Sequence, residues 1–367
     1  MPKKIRYAVA GQGYIAQAAV LPAFENASKN SELVALLSDD PAKLKKLARK
    51  YGVDRTYHYE QYDECLRSGG IDAVYIALPN HLHREYTVRA AEAGIHVLCE
   101  KPMAMTEKDC EGMIRACRDA RVKLMIAYRL HFEKANLKAV ETVKAGKIGE
   151  PRFFSSSFAM QVKDGNVRLS KERGGGTLYD IGIYCINAAR SLFQAEPERV
   201  FAFAMSGPDD RFAEVEEMVG AQLVFPGSRL ASFVCSFGAA DVSTYSVVGT
   251  EGDLCLDSAY EYGEEIGTWL TTKGRSKEKT YAVHDQFAPE LLYFSECILE
   301  DREPEPSGAE GMADVRIIEA LYASAAKGRP VELGEPVRVE HPKPEQAISR
   351  PPVRKPSLVH AAAPTRH

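Results

Sequence analysis

The sequence lacks long hydrophobic runs, clustered cysteines and an excess of charge of one sign. No apolar stretch approaches the roughly 20 residues that cross a membrane. The eight cysteines are scattered without CxxC pairs or metal-ligand spacing, so we expect reduced structural thiols and no metal site. The formal net charge of −4 gives no reason to expect a nucleic-acid or membrane-surface partner. These absences point to a small-molecule partner.

The length and the periodicity predict two domains and a tail. A chain of 367 residues is long for a single core. Short apolar segments alternate with helical patterns over residues 1–127, which is typical of a doubly wound parallel sheet, a Rossmann-type α/β domain. Residues 128–333 predict an α+β domain, because helical segments there flank several alternating stretches divided by turn signals. Residues 334–367 are rich in proline and basic side chains, so they form either a disordered tail or an arm around a neighbouring subunit.

The compartment follows from the first strand. Its apolar run begins almost at Met1, which leaves no room for a signal peptide, and we therefore expect a cytoplasmic protein.

A glycine-rich turn follows that first apolar run. Residues 11–16 read GxGxxA, and they lie where a strand gives way to a helix. Gly11 and Gly13 allow a sharp turn close to a pyrophosphate, and the helix that begins near Tyr14 and Ile15 supplies positive potential. We interpret these four residues as dinucleotide contacts. The alternative is an ordinary glycine-containing loop.

The end of the second strand bears on the choice of cofactor. An Asp or Glu usually meets a free ribose 2′-hydroxyl there, whereas this chain has Ser38 followed by Asp39 and Asp40, with Lys43 in the next turn. Ser38 and Lys43 can donate hydrogen bonds to a 2′-phosphate, so we favour NADP. Asp39 or Asp40 could instead bind the ribose of NAD, and the simplest alternative is a serine and a lysine that open a surface helix.

Two further loops follow strands of the predicted parallel sheet. One contains Leu78, Asn80 and His83, and the other contains Glu100 and Lys101. Loops at the carboxyl ends of parallel strands meet ligands, so we expect both to face the cofactor. A structural role is the alternative for the histidine.

A third segment supplies an acid and a phenol. Three consecutive glycines at 174–176 lead into a predicted helix in which Asp180 and Tyr184 lie four residues apart, on one face. Hydride transfer at an alcohol or carbonyl carbon needs a group that takes or gives the hydroxyl proton, and a tyrosine next to a lysine ammonium can do both. We therefore predict Lys101, Tyr184 and Asp180 as catalytic residues. A tyrosine packed in the core is the structural alternative.

The glycine turn, the Glu100-Lys101-Pro102 tripeptide and the segment 174–184, in this order, resemble the Gfo/Idh/MocA oxidoreductases, and most closely their glucose–fructose oxidoreductase-like branch. The resemblance spans about residues 3–332. It implies a Rossmann domain followed by a domain with a large, mostly antiparallel sheet that forms a homo-oligomer, a dimer or a tetramer. Lys101 matches the family's substrate-orienting lysine, Asp180 its motif aspartate, and Arg129 and Arg168 resemble arginines that contact the cofactor.

Tyr184 stands where many members of the family carry histidine, and tyrosine at this position is a mark of the branch that acts on sugars. The resemblance therefore implies an NADP-dependent enzyme that transfers hydride between C1 of an aldose and nicotinamide to give a lactone. Some members of the branch hold NADP tightly and reduce a second sugar to an alditol without releasing it, while others are conventional sugar or anhydrosugar dehydrogenases or reductases. A non-catalytic dinucleotide-sensing regulator is the alternative from another class.

Overall fold

The computed structural model describes residues 3–365, and its first sheet has six parallel strands in the order β3-β2-β1-β4-β5-β6. These strands are β1 (Ile5–Ala10), β2 (Ser31–Leu37), β3 (Arg55–Tyr57), β4 (Ala73–Ile76), β5 (His96–Glu100) and β6 (Leu124–Ala127). Every residue of β4 and β6 is buried, because helices cover both faces of the sheet. The predicted Rossmann-type architecture is confirmed.

Helices connect these strands in the alternation that the sequence predicts. They are α1 (Leu21–Asn26), α2 (Pro41–Tyr51), α3 (Tyr62–Arg67), α4 (His83–Glu92) and α5 (Glu107–Ala120). A π-helical turn, Ala16–Val20, links the glycine motif to α1. The side chain of Asp40 accepts hydrogen bonds from the backbone of Ala42 and Lys43 and so caps α2.

The second sheet has nine strands in the order β14-β13-β12-β11-β7-β10-β9-β8-β15. Neighbouring strands are antiparallel except β7 and β10, which run parallel. The predicted mostly antiparallel sheet is thus confirmed. The strands are β7 (Pro151–Ala159), β8 (Arg199–Met205), β9 (Met218–Phe225), β10 (Arg229–Ser236), β11 (Val242–Gly249), β12 (Gly252–Asp257), β13 (Ile266–Thr272), β14 (Arg275–Tyr281) and β15 (Val331–Glu332).

Four further helices lie in this part of the chain: α6 (Lys134–Lys144), α7 (Ile183–Phe193), α8 (Ala288–Leu299) and α9 (Gly308–Lys327). A π-helical turn, Leu178–Gly182, precedes α7. Helices α7 and α9 contact one face of the sheet, at β7 and β8. Helix α8 instead packs on the first sheet, where Leu291 and Phe294 join the core formed by Ile5 and Tyr7. The two domains therefore share a helix that comes late in the chain.

The segment after residue 333 lies along the surface of its own chain. Its backbone accepts or donates hydrogen bonds at Arg350, Pro351, Val359 and Pro364. The predicted disordered tail and the predicted arm on a neighbouring subunit stay predictions, and the described segment pairs with its own chain. The physical reason is that an extended, proline-rich segment can satisfy its backbone by pairing with side chains and loops of the folded core. Within residues 3–365, no helix has the length and apolar character needed to cross a bilayer.

Candidate active site

The glycine turn lies at the carboxyl edge of the first sheet, between β1 and the π-helical turn. Gly11 has φ +97°, and an added Cβ would lie 2.4 Å from the carbonyl oxygen of Ala77, so only glycine fits there. At Gly13 an added Cβ would meet no atom within 4 Å. Gly11 thus holds the turn against the loop after β4, and Gly13 leaves open space beside the backbone. Ile15 packs against the adjacent core.

Ser38 and its acidic neighbours follow β2. Ser38 is buried, with 1% of its surface exposed, and its Oγ accepts a hydrogen bond from the backbone of Asp40 at 3.2 Å. The carboxylate of Asp40 is already used, because Oδ1 caps α2 and Oδ2 lies 2.7 Å from Nδ1 of His360. These contacts lower the pKa of Asp40, chiefly through the hydrogen bond to His360. Asp39 is exposed and Lys43 is half-buried.

The loop after β4 is held by internal hydrogen bonds. Nδ2 of Asn80 donates to the carbonyl of Gly174 at 2.7 Å and so ties this loop to the glycine run of the second domain. His83 is fully buried, and its ring nitrogens lie 2.9 Å from the carbonyl oxygens of Pro102 and Leu78. Burial lowers the pKa of His83. Both ring nitrogens thus face carbonyl oxygens of loops at the sheet edge.

Lys101 and Asp180 meet where the two domains face each other. Nζ of Lys101 donates to the backbone carbonyl of Asp180 at 2.7 Å and lies 3.3 Å from its Oδ1. Nε of Arg168 donates to the other carboxylate oxygen at 2.5 Å. Burial raises the pKa of Asp180, but the two cations lower it more, so the net shift is downward. Asp180 thus stays ionised and fixes the ammonium and the guanidinium.

Two cations lie close to the Tyr184 ring. Nζ of Lys101 is 4.7 Å from the ring centroid and Cζ of Arg129 is 5.1 Å away. The rings of Phe158 and Tyr260 pack against it, with ring centroids 5.6 and 5.8 Å from that of Tyr184. Because the lysine comes from the first domain and the phenol from the second, the pair forms only where the domains meet.

Arg129 is buried, and its guanidinium donates to Gln286 Oε1 and to the carbonyl of Tyr260. It also lies 5.3 Å from the ring centroid of Tyr262. The phenol of Tyr262 interacts with that of Tyr14, and burial raises the pKa of Tyr262 well above its ordinary value. The glycine turn is thereby linked to the second domain through two tyrosines.

Two buried carboxyl groups, those of Glu100 and Glu290, lie near the end of β5 and on α8. Tyr75 donates to Glu100 at 2.8 Å, and burial raises the pKa of Glu100. Burial also raises the pKa of Glu290, on α8, which has neither carboxylate oxygen hydrogen-bonded within residues 3–365. The side chain of Glu100 therefore points towards the sheet interior and α8.

The structure thus brings Lys101, Asp180, Tyr184, Arg129 and Arg168 together. The side chains of Arg129, Arg168 and His83 form hydrogen bonds within this chain. These bonds do not test the predicted cofactor contacts of the three residues, which stay predictions. Sequence reasoning missed the partner residues Tyr262, Gln17, Val359 and His360. Only the dipeptide Asp40-Pro41, a typical helix start, could have shown that Asp40 is a cap.

A Rossmann sheet whose carboxyl edge faces a lysine and a tyrosine is the arrangement of a dinucleotide-dependent oxidoreductase. The family model described as "Oxidoreductase family, NAD-binding Rossmann fold" matches residues 5–128, and the GFO/IDH/MocA C-terminal domain matches residues 136–255. The chain therefore belongs to the GFO/IDH/MocA family, as the sequence motifs predict.

Several relatives share most of the chain. D-xylose 1-dehydrogenase [NADP(+)] of Haloarcula marismortui is 34% identical over 337 residues, 90% of this chain and 93% of that protein. The crystal structure of aldose-aldose oxidoreductase from Caulobacter crescentus, complexed with glycerol, is 39% identical with a TM-score of 0.86 and covers 90% of this chain and 100% of that one. KijD10, a 3-ketoreductase from Actinomadura kijaniata with NADP and TDP-benzene, is 27% identical with a TM-score of 0.81, covering 88% and 98%.

Proposed function

We propose that this chain is an NADP-dependent oxidoreductase that transfers hydride between a sugar carbon and the cofactor. The observation that carries the proposal is the 4.7 Å approach of Lys101 Nζ to the Tyr184 ring centroid, with one group from each domain, at the edge where the glycine turn lies. The similarity to an NADP(+)-dependent xylose dehydrogenase and to an aldose-aldose oxidoreductase supports the same substrate class.

The residues of the first domain fit a dinucleotide. The open space at Gly13 would admit a pyrophosphate close to the backbone, with Gly11, Tyr14 and Ile15 completing the turn. Ser38 and Lys43 would hold a 2′-phosphate. NADP is favoured over NAD because the carboxylate of Asp40 is occupied by the α2 cap and by His360, which leaves it poorly placed to bind a ribose hydroxyl.

The chain's own residues would move the proton and orient the substrate. When bound, the cofactor supplies the hydride acceptor for oxidation or the donor for reduction. During oxidation of an aldose at C1, the phenolate of Tyr184 takes the hydroxyl proton as hydride leaves the same carbon, and a lactone results. During reduction the phenol returns the proton. Lys101 stabilises the phenolate and donates to a substrate hydroxyl, while Asp180 holds Lys101 in place.

Two modes of turnover are open to such a site. In one, NADP stays bound, so that oxidation of one aldose is followed by reduction of a second to an alditol. In the other, the cofactor exchanges at each cycle. Incubation of the purified protein with a panel of aldoses, first without and then with added NADP⁺, distinguishes them. We expect paired lactone and alditol without added cofactor; lactone and NADPH only with added NADP⁺ would indicate exchange. No product from any sugar would refute the proposed activity.

We further propose that the open face of the second sheet pairs with a second copy of the chain. The face opposite α7 and α9 carries Phe203 and Met205, which are 60% and 59% exposed, together with Phe153 and Val234 at 44% each. Large apolar side chains exposed on one face of a sheet indicate an association site. Phe203→Glu should lower the mass measured by light scattering after gel filtration, whereas Leu299→Glu, on exposed α8 surface, should leave it unchanged. A monomeric parent protein would refute this pairing.

A further inference from the structure

The last part of the described chain crosses from the first domain to the second at the cofactor edge. We call residues 358–365 the C-terminal strap. Its first anchor is Gln17, in the π-helical turn that follows the glycine motif. Gln17 is buried, its Oε1 accepts from the backbone of Val359 at 2.7 Å, and its Nε2 donates to the carbonyl of Val359 at 2.9 Å. One carboxamide thus pairs with both backbone groups of a single strap residue.

The same carboxamide also touches the glycine motif. Nε2 of Gln17 donates to the carbonyl of Gln12, the residue between Gly11 and Gly13, at 2.9 Å. Val359 additionally packs on the apolar cluster that contains Ala16 and Val20. The strap is therefore joined through one side chain to the turn that approaches the pyrophosphate.

The next strap residue, His360, contacts the segment that follows β2. Nδ1 of His360 lies 2.7 Å from Oδ2 of Asp40, two residues after Ser38. This contact places the imidazole beside the segment that carries Ser38 and Lys43, the predicted 2′-phosphate site. His360 has φ +44°, so the chain makes a left-handed turn where it meets Asp40.

The far end of the strap is fixed to the second domain. The backbone of Lys163 donates to the carbonyl of Pro364 at 2.8 Å, and its Nζ donates to that of Ala363 at 3.2 Å. Val162 and Thr365 form an antiparallel bridge. Arg168, which binds Asp180, follows five residues after Lys163. The strap thus spans the interval between the phosphate turn and the segment that leads to the predicted catalytic residues.

We propose that the strap forms an outer wall of the cofactor site and slows the release of NADP. The inference rests on the proposed function, because it presupposes that a dinucleotide occupies this edge. Release would require the strap to separate from Gln17, Asp40 or Lys163, and each such hydrogen bond adds to the barrier. A slowly leaving cofactor is what turnover of two sugars on one bound NADP requires.

The experiment measures release directly. The full chain and a variant that ends at Ser357 are loaded with NADPH, and loss of its fluorescence is followed by stopped flow after mixing with excess NADP⁺. We expect release to be at least tenfold faster from the truncated protein. Equal or slower release after truncation would overturn the proposal.

Point variants guard against a truncation that misfolds. His360→Ala and Lys163→Ala each remove one side-chain hydrogen bond of the strap and should accelerate release severalfold, with little change in melting temperature. Arg354→Ala, in the exposed part of the same tail, is the matched control and should leave release unchanged. Equal release rates in His360→Ala, Lys163→Ala and Arg354→Ala would also overturn the strap's role.

The failure of this inference can be told from the failure of the proposed function. If the full chain binds NADPH and the truncated chain releases it no faster, the strap has no holding role but the cofactor proposal stands. If the full chain binds no NADPH at all, the proposed function itself fails, and the strap proposal with it.

Discussion

Replacing Tyr184 with phenylalanine removes one oxygen from the site and preserves its packing. The phenylalanine ring would keep the contacts with Phe158 and Tyr260 at 5.6 and 5.8 Å and remain beside Lys101 and Arg129. The hydroxyl interacts with the Arg129 guanidinium, which keeps its hydrogen bonds to Gln286 and to the carbonyl of Tyr260 when the hydroxyl is removed. The substitution therefore tests proton transfer with little disturbance of the fold.

The size of the effect follows from the role of the phenol. Positioned proton transfer contributes roughly 10²–10⁴-fold to rate, which corresponds to about 3–5 kcal/mol of transition-state stabilisation. We expect kcat of Tyr184→Phe to fall by about that factor. Cofactor affinity should be nearly unchanged, because Gly11, Gly13 and Ser38 lie on the other domain. The loss should appear in kcat and in kcat/KM alike, as for an interaction made only in the transition state.

Single-turnover kinetics with loaded NADP⁺ and an aldose, followed at the absorbance of NADPH, separates the chemical step from product release. The control is Tyr179→Phe, on the turn before α7, whose hydroxyl donates to the carbonyl of Met105 at 2.6 Å. That variant should lose about 1 kcal/mol of stability and little turnover. If Tyr184→Phe turned over at a near-normal rate, the proton transfer would have to be assigned to another group.

Four other substitutions test separate parts of the site. Gly11→Ala should lower the free energy of unfolding by about 2–4 kcal/mol, because its Cβ would lie 2.4 Å from the carbonyl oxygen of Ala77. Gly13→Ala should melt like the parent protein and bind NADP more weakly. Equal melting temperatures of Gly11→Ala and Gly13→Ala in thermal scans would contradict this. Ser38→Asp should shift the ratio of kcat/KM towards NAD, and an unchanged ratio would mean that other groups bind the 2′-phosphate. The lowered pKa of Asp180 stabilises the fold above the unfolded pKa of about 3.9, and this stabilisation is lost as pH falls through the lower folded pKa. Asp180→Asn should therefore reduce the loss of unfolding free energy at acid pH, measured by denaturant titration. An unchanged acid dependence would assign it to other groups.

The fold could be predicted because its signals are local. Buried parallel strands such as β4 read as continuous apolar runs, and the sequence separates them by helical periods. Lys101 and Tyr184 could be singled out for similar reasons, since each follows a recognisable element. Their mutual approach could not be predicted from spacing, because they stand 83 positions apart and in different domains.

The remaining features depend on contacts between distant parts of the chain. The occupation of both ring nitrogens of His83 depends on a carbonyl in a loop 19 residues further along the chain. The pairing of Gln17 with Val359 joins residues 342 positions apart, and the tail has no periodicity that would indicate a partner. Proline-rich composition indicates an extended chain, but it does not show which surface such a chain will contact.

Helix α8 has a consequence for the order in which the protein is made. Tyr7, in β1, donates to or accepts from Ser295 in α8 at 2.8 Å, across 288 positions of sequence. During synthesis, one face of the first sheet therefore stays uncovered until about four-fifths of the polypeptide has left the ribosome. Contacts of such long range form slowly, and the waiting intermediate exposes the apolar side chains of Ile5 and its neighbours. Expression of residues 1–127 alone should accordingly give an aggregation-prone fragment.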